Sequence, residues 1–320
     1  MATAGSRGKA IGMLVLAAAA WGLSFPGGKA LIEALEARLP GRSSWFFAAL
    51  VIGGRFAVAA LLLALARPSA CLQITQREWV QGAVLGVCVG AGTCLQADAL
   101  AYTHASTVAF LTQFTCVLIP FFVFLRVRRR PSLLVIFSLA LVVPGVAVLA
   151  QFDWHTLRLG RGEIETLIGS GFFMVQVLAL DEPVFRENDS SRVSLVMFAV
   201  IGALLAPVAW WHAREATDLL VLASSGPVLV TFLTLTLVCS VVAFLLMNCW
   251  QPRIDATTAG IIYCLEPMFA TTFALFLPSL MSSWLGVEYG NEAVSRNLLI
   301  GGSLVTVANV LLAVQPRSDS

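Results

Sequence analysis

Charge is scarce in this sequence. Asp, Glu, Lys and Arg together make up 12% of its 320 residues, whereas a soluble domain carries about 25%. Water solvates a protein through such groups. This share is too small to cover a soluble surface, and lipid is the solvent that tolerates such a chain. Histidine is scarcer still. His104, His155 and His212 are the three, and each falls at or beyond the end of an apolar run rather than beside a nucleophile. No HExxH motif and no Walker A loop occur, and Gly169-Ser170-Gly171 is not a GxSxG elbow. The sequence grounds for a zinc protease, an ATP-driven pump or a serine hydrolase are therefore missing. The expectation is a protein that is not an enzyme and has no cofactor. Net charge is +2, with no basic stripe interleaved with aromatics, which argues against nucleic acid as a partner. Six of the seven cysteines (Cys88, Cys94, Cys116, Cys239, Cys249 and Cys264) lie inside apolar runs without CxxC or metal-finger spacing. They read as small apolar side chains, not as a disulfide framework or a metal site.

What the sequence has in abundance is apolar length: 58% hydrophobic residues and a mean hydropathy of +0.87. A helix needs about 20 such residues to cross a bilayer, and in lipid only a helix or a closed barrel pairs every backbone group. Ten runs qualify as helices: Ala10–Ala30, Trp45–Ala66, Trp79–Ala99, Ser106–Leu125, Ser132–Ala150, Glu163–Phe185, Val193–Trp211, Pro227–Trp250, Thr258–Leu277 and Leu298–Val314. The first follows Arg7 and Lys9, as the core of a signal sequence would, and Gly27-Gly28-Lys29-Ala30 resembles a cleavage site. Its length and the nine runs after it make a retained span the expectation. The sixth has only a short charge-free core, Thr166 to Leu180. The eighth lies in a long charge-free stretch that Ser224-Ser225-Gly226-Pro227 should break.

Lys and Arg in the loops mark the cytoplasmic side. With a cytoplasmic N-terminus and ten alternating spans they divide 12 to 6, and 8 to 6 without the cluster Arg126, Arg128, Arg129 and Arg130. That cluster decides the topology, which leaves both termini cytoplasmic. Ten spans split into five and five, and an odd-numbered unit repeats upside down. Ala105-Ser106-Thr107-Val108-Ala109-Phe110 opens the fourth run and Ala256-Thr257-Thr258-Ala259-Gly260-Ile261 the ninth. Gly145-Val146-Ala147-Val148-Leu149 in the fifth is loosely echoed by Ala308-Asn309-Val310-Leu311-Leu312 in the tenth.

Several segments resemble the EamA-type members of the drug/metabolite transporter superfamily. Trp21-Gly22-Leu23-Ser24-Phe25 followed by Lys29 is similar to the family's first helix, and Arg55-Phe56 to its second. Ala99-Leu100-Ala101-Tyr102-Thr103 with Ala105-Ser106, then Phe110-Leu111-Thr112 through Ile119-Pro120, looks like its third-to-fourth helix passage. Leu265-Glu266-Pro267-Met268-Phe269-Ala270 resembles the ninth helix, and Asn291-Glu292-Ala293 with Leu299-Ile300-Gly301-Gly302 the Gly-Glu motif and last helix. The likeness spans roughly residues 10 to 315. The sequence departs in having Arg126-Val127-Arg128-Arg129-Arg130 where the first Gly-Glu motif would stand, Asn291 for the second glycine, and a long loop from Pro278 to Gly290. The resemblance implies an all-α polytopic membrane protein of about ten transmembrane helices, arranged as two inverted five-helix repeats, residues 1–152 and 153–320. It implies a secondary transporter or facilitator of small polar or amphipathic metabolites, an exporter among the options, working by alternating access. A non-transporting receptor or scaffold, and an intramembrane enzyme, are the alternatives. The expected partners are a small-molecule solute and the lipid bilayer, with a homodimer as an open assembly state. The expected location is a bacterial inner membrane.

Charge inside a span faces protein or a water-filled cavity. Lys29, Arg55, Asp98 and Glu266 qualify. Lys29 and Asp98 lie near run ends, where a side chain can also snorkel to the interface. Arg55 and Glu266 lie near mid-span with opposite charge. A direct or water-bridged pair is expected of them, serving either solute or helix packing alone. Polar Gln96, Gln113, Gln176, Asn248 and Tyr263 either line a polar cavity or bond between helices. Tyr263 precedes Glu266 by three residues and shares its helix face, and Pro267 inside the run should free the Tyr263 carbonyl. The candidate substrate or coupling set is therefore Glu266, Arg55, Tyr263, Gln113, Asp98 and Asn248. Gly82, Gly86 and Gly90 form a small-residue face for helix packing, and no metal-binding set is present.

Overall fold

The computed structural model describes residues 4–115, 118–119, 121–122, 133–149, 159–185, 187–254, 259 and 262–313. These residues form helices and no strand, as an apolar backbone that must satisfy itself in lipid requires. The helices are α1 (Ala4–Arg38), α2 (Ser44–Ala66), the short α3 (Pro68–Leu72), α4 (Gln76–Ala99), α5 (Ala105–Thr112), α6 (Leu133–Leu149) and α7 (Arg161–Asp181). Then come α8 (Ser190–His212), the composite rod α9 (Gly226–Arg253), α10 (Glu266–Ala274), α11 (Leu277–Leu285) and α12 (Arg296–Ala313).

Among the described residues the count of ten spans is not reached. Six helices are long and apolar enough to cross a membrane, and the pair α10 and α11, bent by 57°, makes seven. Of the fourth run, α5 and the turn after it are described; residues 123–132, with the arginine cluster that decided the topology, lie outside the described residues. So do the 152/153 repeat boundary and most of the opening of the ninth run. The fifth and tenth runs contain apolar helices shorter than a full span, Ile136–Gly145 and Arg296–Ala308.

Two boundaries differ from the sequence reading. α1 runs two turns beyond Ala30, because Leu31, Ile32, Ala34 and Leu35 are all buried. The segment expected as a loop from Pro278 to Gly290 begins as α11. Pro278 sits in its first turn, where the missing N–H costs no helical bond, and Gly286 ends it at φ +72°. α9 starts where the sequence placed a break, at Ser224-Ser225-Gly226-Pro227. A 3₁₀ helix (Ala216–Ala223) precedes it, Ser225 is the N-cap and Pro227 falls in the first turn. Farther along, Thr236–Val242 winds as a π-helix, which nothing in the residue pattern announces.

Side-chain caps fix several starts. Ser43 Oγ accepts from Phe46 N at the head of α2, Thr75 and Glu78 form a reciprocal capping box on α4, and Asp189 caps α8. α2 packs on α8, α4 on α7 and α8, α6 on α12, and α1 on α9 and α10. Glycine makes one of these seams possible. A Cβ on Gly82 would stand 2.6 Å from Val196 Cβ, and one on Gly86 2.7 Å from Val200 Cβ and 2.9 Å from the Met197 carbonyl. The core of the bundle includes Phe46, Phe47, Phe56, Met197, Phe198 and Ile201, while Leu61, Leu65, Val87, Trp211 and Leu237 are exposed on its outside. An apolar exterior of this kind is the surface lipid solvates.

Polar contacts at the helix ends fall into two groups that share no residue. One joins the ends of α1, α4 and α8 to the starts of α2, α5, α7 and α9: Lys29–Thr103, Arg38–Ser225, Arg42–Asp218, Ser43–His212, Ser44–Tyr102 and Arg161–Asp98. The other joins the end of α2 to the starts of α4 and α8: Arg67–Ser191, Asn188–Gln81 and Glu78 with the Asp189 backbone N–H. Hence α2, α4 and α8 each run from one polar end of the bundle to the other. Arg42 Nε and Nη2 donate to the two Asp218 oxygens at 2.7 and 2.8 Å. Those bonds hold the Asp218 carboxyl far below the usual carboxylate range, helped by the backbone N–H groups of Glu215 and Arg214 and opposed by desolvation.

Candidate functional site

The middle of the bundle brings two helix interruptions together. α5 ends at Thr112, and Gln113 and Phe114 form a turn. On the other chain segment Ile262 and Tyr263 are helical, Cys264 and Leu265 turn, and α10 starts at Glu266. Pro267 therefore lies in the first turn of a new helix and not in the interior of one. Its missing N–H leaves no helical bond unmade, which corrects the expectation that it frees a carbonyl within a continuous span. Gln113 Nε2 donates to Glu266 Oε2 at 3.4 Å, a long bond by ordinary criteria. Nearby, Gln96 Nε2 donates to Thr112 Oγ1 at 2.6 Å and Tyr263 OH to Gln251 Oε1 at 2.6 Å.

α1 closes this region from one side. A Cβ on Gly22 would stand 2.6 Å from Phe269 Cβ, 2.8 Å from Ala270 N and 3.0 Å from the Glu266 carbonyl. Only a glycine lets α1 approach the α10 backbone so closely. The neighbouring Trp21 ring lies 5.2 Å from Phe244 and 5.7 Å from Tyr263, and Phe244 continues to Phe56 at 5.4 Å. Trp21 Nε1 is buried and makes no hydrogen bond. Glu266 and Tyr263 sit deep among the helices, yet each keeps accessible surface.

The other candidates are elsewhere. Arg55 is 4% exposed. Its Nε donates to Ser240 Oγ at 3.1 Å and its Nη1 to Ser24 Oγ at 3.0 Å. Ser240 belongs to the π-helical stretch of α9, a local irregularity common at functional sites. Among the described residues no ion pair joins Arg55 to Glu266. The two do not pair directly, because α2 packs on α8 and α9, whereas α10 packs on α1 and α5. Asn248 Nδ2 donates to Ser194 Oγ at 2.8 Å and ties α9 to α8. Asp98 is wholly buried at one polar end, bonded to Arg161. Thus Gln113, Glu266 and Tyr263 come together, and Arg55, Asp98 and Asn248 do not join them.

Sequence reasoning overlooked Trp21, Ser24, Ser240, Arg161 and Glu165. Trp21 and Ser24 stand in the segment Trp21–Phe25, one helical turn apart, and that spacing was the available signal. Glu292 has a definite task. Its Oε1 accepts from the Ala105 N–H at 2.8 Å and its Oε2 from Ser106 Oγ at 2.5 Å, so it caps α5 from across the chain. Among the described residues no group of three metal-ligating side chains gathers.

Residues 8–151 match the EamA-like transporter family model. No curated protein matches the chain. One solved structure, described only as the crystal structure of a protein, aligns with 96% of this chain and 98% of its own at a TM-score of 0.58. The two share 16% identity, so the likeness is one of fold.

Proposed function

We propose, from a chain that belongs through residues 8–151 to the EamA-like transporter family, that this drug/metabolite transporter-type membrane protein is a secondary transporter or facilitator. It carries small polar or amphipathic metabolites by alternating access. The observation that carries the reading is the meeting of Gln113 and Glu266 at two interrupted helices. Discontinuous helices at mid-membrane are where transporters of this type bind solute, because a broken helix presents polar groups that a continuous one hides. Glu266 offers a carboxylate to a cationic group or a proton. The faces of Trp21 and Tyr263, with the unpaired Trp21 N–H, suit the apolar and polar parts of an amphipathic solute.

The proposal includes ten spans in two inverted repeats. The first five are α1, α2, α4, α5 and α6 with their flanking residues, and the second five are α7, α8, α9, α10 and α12. Under that assignment the helix contacts fall into matched sets. α2–α8, α5–α10 and α6–α12 each join equivalent helices. α4–α7 is mirrored by α9–α1, α4–α8 by α9–α2, and α5–α7 by α10–α1. Such matching supports a rocking motion of one repeat against the other. The orientation proposed, with both termini cytoplasmic in a bacterial inner membrane, rests on the loop arginines.

A thermal-shift screen of purified protein against a metabolite library tests the reading, since a ligand that binds the native state raises its apparent stability. At least one polar or amphipathic metabolite should stabilise the wild-type protein and lose that effect with Glu266→Gln. Stabilisation that is the same in both proteins would remove Glu266 from the site.

A further inference from the structure

The seam between α4 and α7 holds a group of side chains with one positive charge too few. The two helices meet tightly there: a Cβ on Gly162 would stand 3.0 Å from the Ala99 carbonyl. Asp98, on the last turn of α4, is 0% exposed, and Glu165, on the first turns of α7, is 8% exposed. Arg161 serves both. Its Nη2 donates to Asp98 Oδ2 at 2.5 Å and its Nε to Glu165 Oε1 at 2.7 Å. Its Nη1 donates to Tyr102 OH at 2.5 Å, and its guanidinium lies 4.3 Å from the centre of that ring.

Each carboxylate thus spends one oxygen on the arginine. The other two oxygens, Asp98 Oδ1 and Glu165 Oε2, are buried with no donor. One guanidinium holds both carboxyl groups against itself. Two carboxylates against one guanidinium leave a net charge of −1 at a seam where both carboxyl groups are buried and Arg161 is 44% exposed, and desolvation of the carboxyl groups and their mutual repulsion both disfavour that charge. Among the described residues, Glu36 on α1 faces Asp98, Cys94 on α4 faces both carboxyl groups, and Tyr102 faces Arg161. None of these brings a positive charge.

We propose that Asp98 and Glu165 hold one proton between them, with Arg161 as their shared counter-ion, so that this seam is a proton-binding site. One proton supplies the missing donor to an orphaned oxygen and brings the seam to neutrality. A metal cation would meet the guanidinium that already lies against both carboxylates. The proton arrives from water as hydronium and returns to it when α4 and α7 part at this end. The inference stands apart from the transport reading, since a protein that moved no solute would hold the same proton.

Infrared difference spectroscopy of the purified full-length protein, titrated from mildly acid to mildly alkaline pH, tests it. The wild type should show a protonated-carboxyl C=O band that shifts in heavy water. Glu266→Gln should retain that band, which separates it from the mid-membrane carboxyl. Glu165→Gln, whose amide replaces the proton as donor, should lose it, and so should Asp98→Asn. A wild-type spectrum without such a band at neutral pH, or a band that survives both seam variants, would overturn the proposal.

Discussion

Gln113 reaches Glu266 at 3.4 Å from the turn that ends α5 to the first residue of α10. A contact at two helix breaks is easily perturbed, because neither partner is locked within a continuous helix. Gln113→Leu removes the donor but keeps side-chain bulk. It should weaken binding of any metabolite found by thermal shift by about tenfold, close to the 1.4 kcal/mol of one modest hydrogen bond. Asn248→Leu should leave that affinity unchanged and lower the melting temperature instead, since it removes the bond to Ser194 Oγ that ties α9 to α8. Equal affinities in wild type and Gln113→Leu would place the ligand elsewhere.

Gly86 and Gly90 stand on the same face of α4 but meet α8 differently. A Cβ on Gly86 would press on Val200 Cβ at 2.7 Å and the Met197 carbonyl at 2.9 Å, while the nearest atom to one on Gly90 is 3.4 Å away. Gly86→Leu should cost about 1–3 kcal/mol or more through overpacking and show as lost yield and monodispersity. Gly90→Ala should fold, because added helix propensity of about 1 kcal/mol offsets slight crowding. Monodisperse Gly86→Leu protein at wild-type yield would mean that α4 and α8 do not pack here.

Arg55 donates to Ser240 and, among the described residues, makes no ion pair with Glu266. Ser240→Ala leaves a guanidinium N–H buried without its acceptor, at a cost of about 1–3 kcal/mol. In double-mutant cycles of thermal stability, Arg55→Met with Ser240→Ala should deviate from additivity by more than about 0.5 kcal/mol. Arg55→Met with Glu266→Gln should add within about 0.5 kcal/mol. The reverse pattern would restore the ion pair that the sequence suggested.

That reversal indicates what the sequence could convey. Apolar run length and charge-poor cores located the spans of α2, α4 and α8 to within a few residues, because hydropathy follows directly from lipid contact. Ser224-Ser225-Gly226-Pro227 announced a helix start, since Pro restricts the backbone on its own. Depth along a helix is also legible, and it placed Arg55 and Glu266 at similar levels. Facing is not. Whether Arg55 turns toward Ser240 or Glu266 depends on how α1, α2 and α9 pack, and the π-helical stretch that brings Ser240 round has no local residue signal. Arg161 and Glu165 escaped notice for a related reason. Charges at a run's edge read as solvent-facing until a second helix covers them.

Stability should carry an acid limb from Asp218. Its carboxyl is held well below the ordinary range by Arg42 in the folded protein. A depressed folded value contributes stability that is fully present above the unfolded pKa, about 3.9 for Asp, and is lost as pH falls through that value and below it. The melting-temperature difference between wild type and Asp218→Asn should be constant at neutral pH and shrink toward zero in acid. A difference independent of pH would show that the pair does not form.

The central claim is movement of solute through a site that includes Glu266. Proteoliposomes loaded with an isotopically labelled metabolite extract, and sampled for efflux by mass spectrometry, test it across many solutes at once. A defined subset of small polar or amphipathic metabolites should leave wild-type vesicles faster than protein-free ones, and that excess should vanish with well-folded Glu266→Gln protein. Efflux from wild-type vesicles no faster than from protein-free vesicles for every solute, or an undiminished excess with Glu266→Gln, would contradict the account.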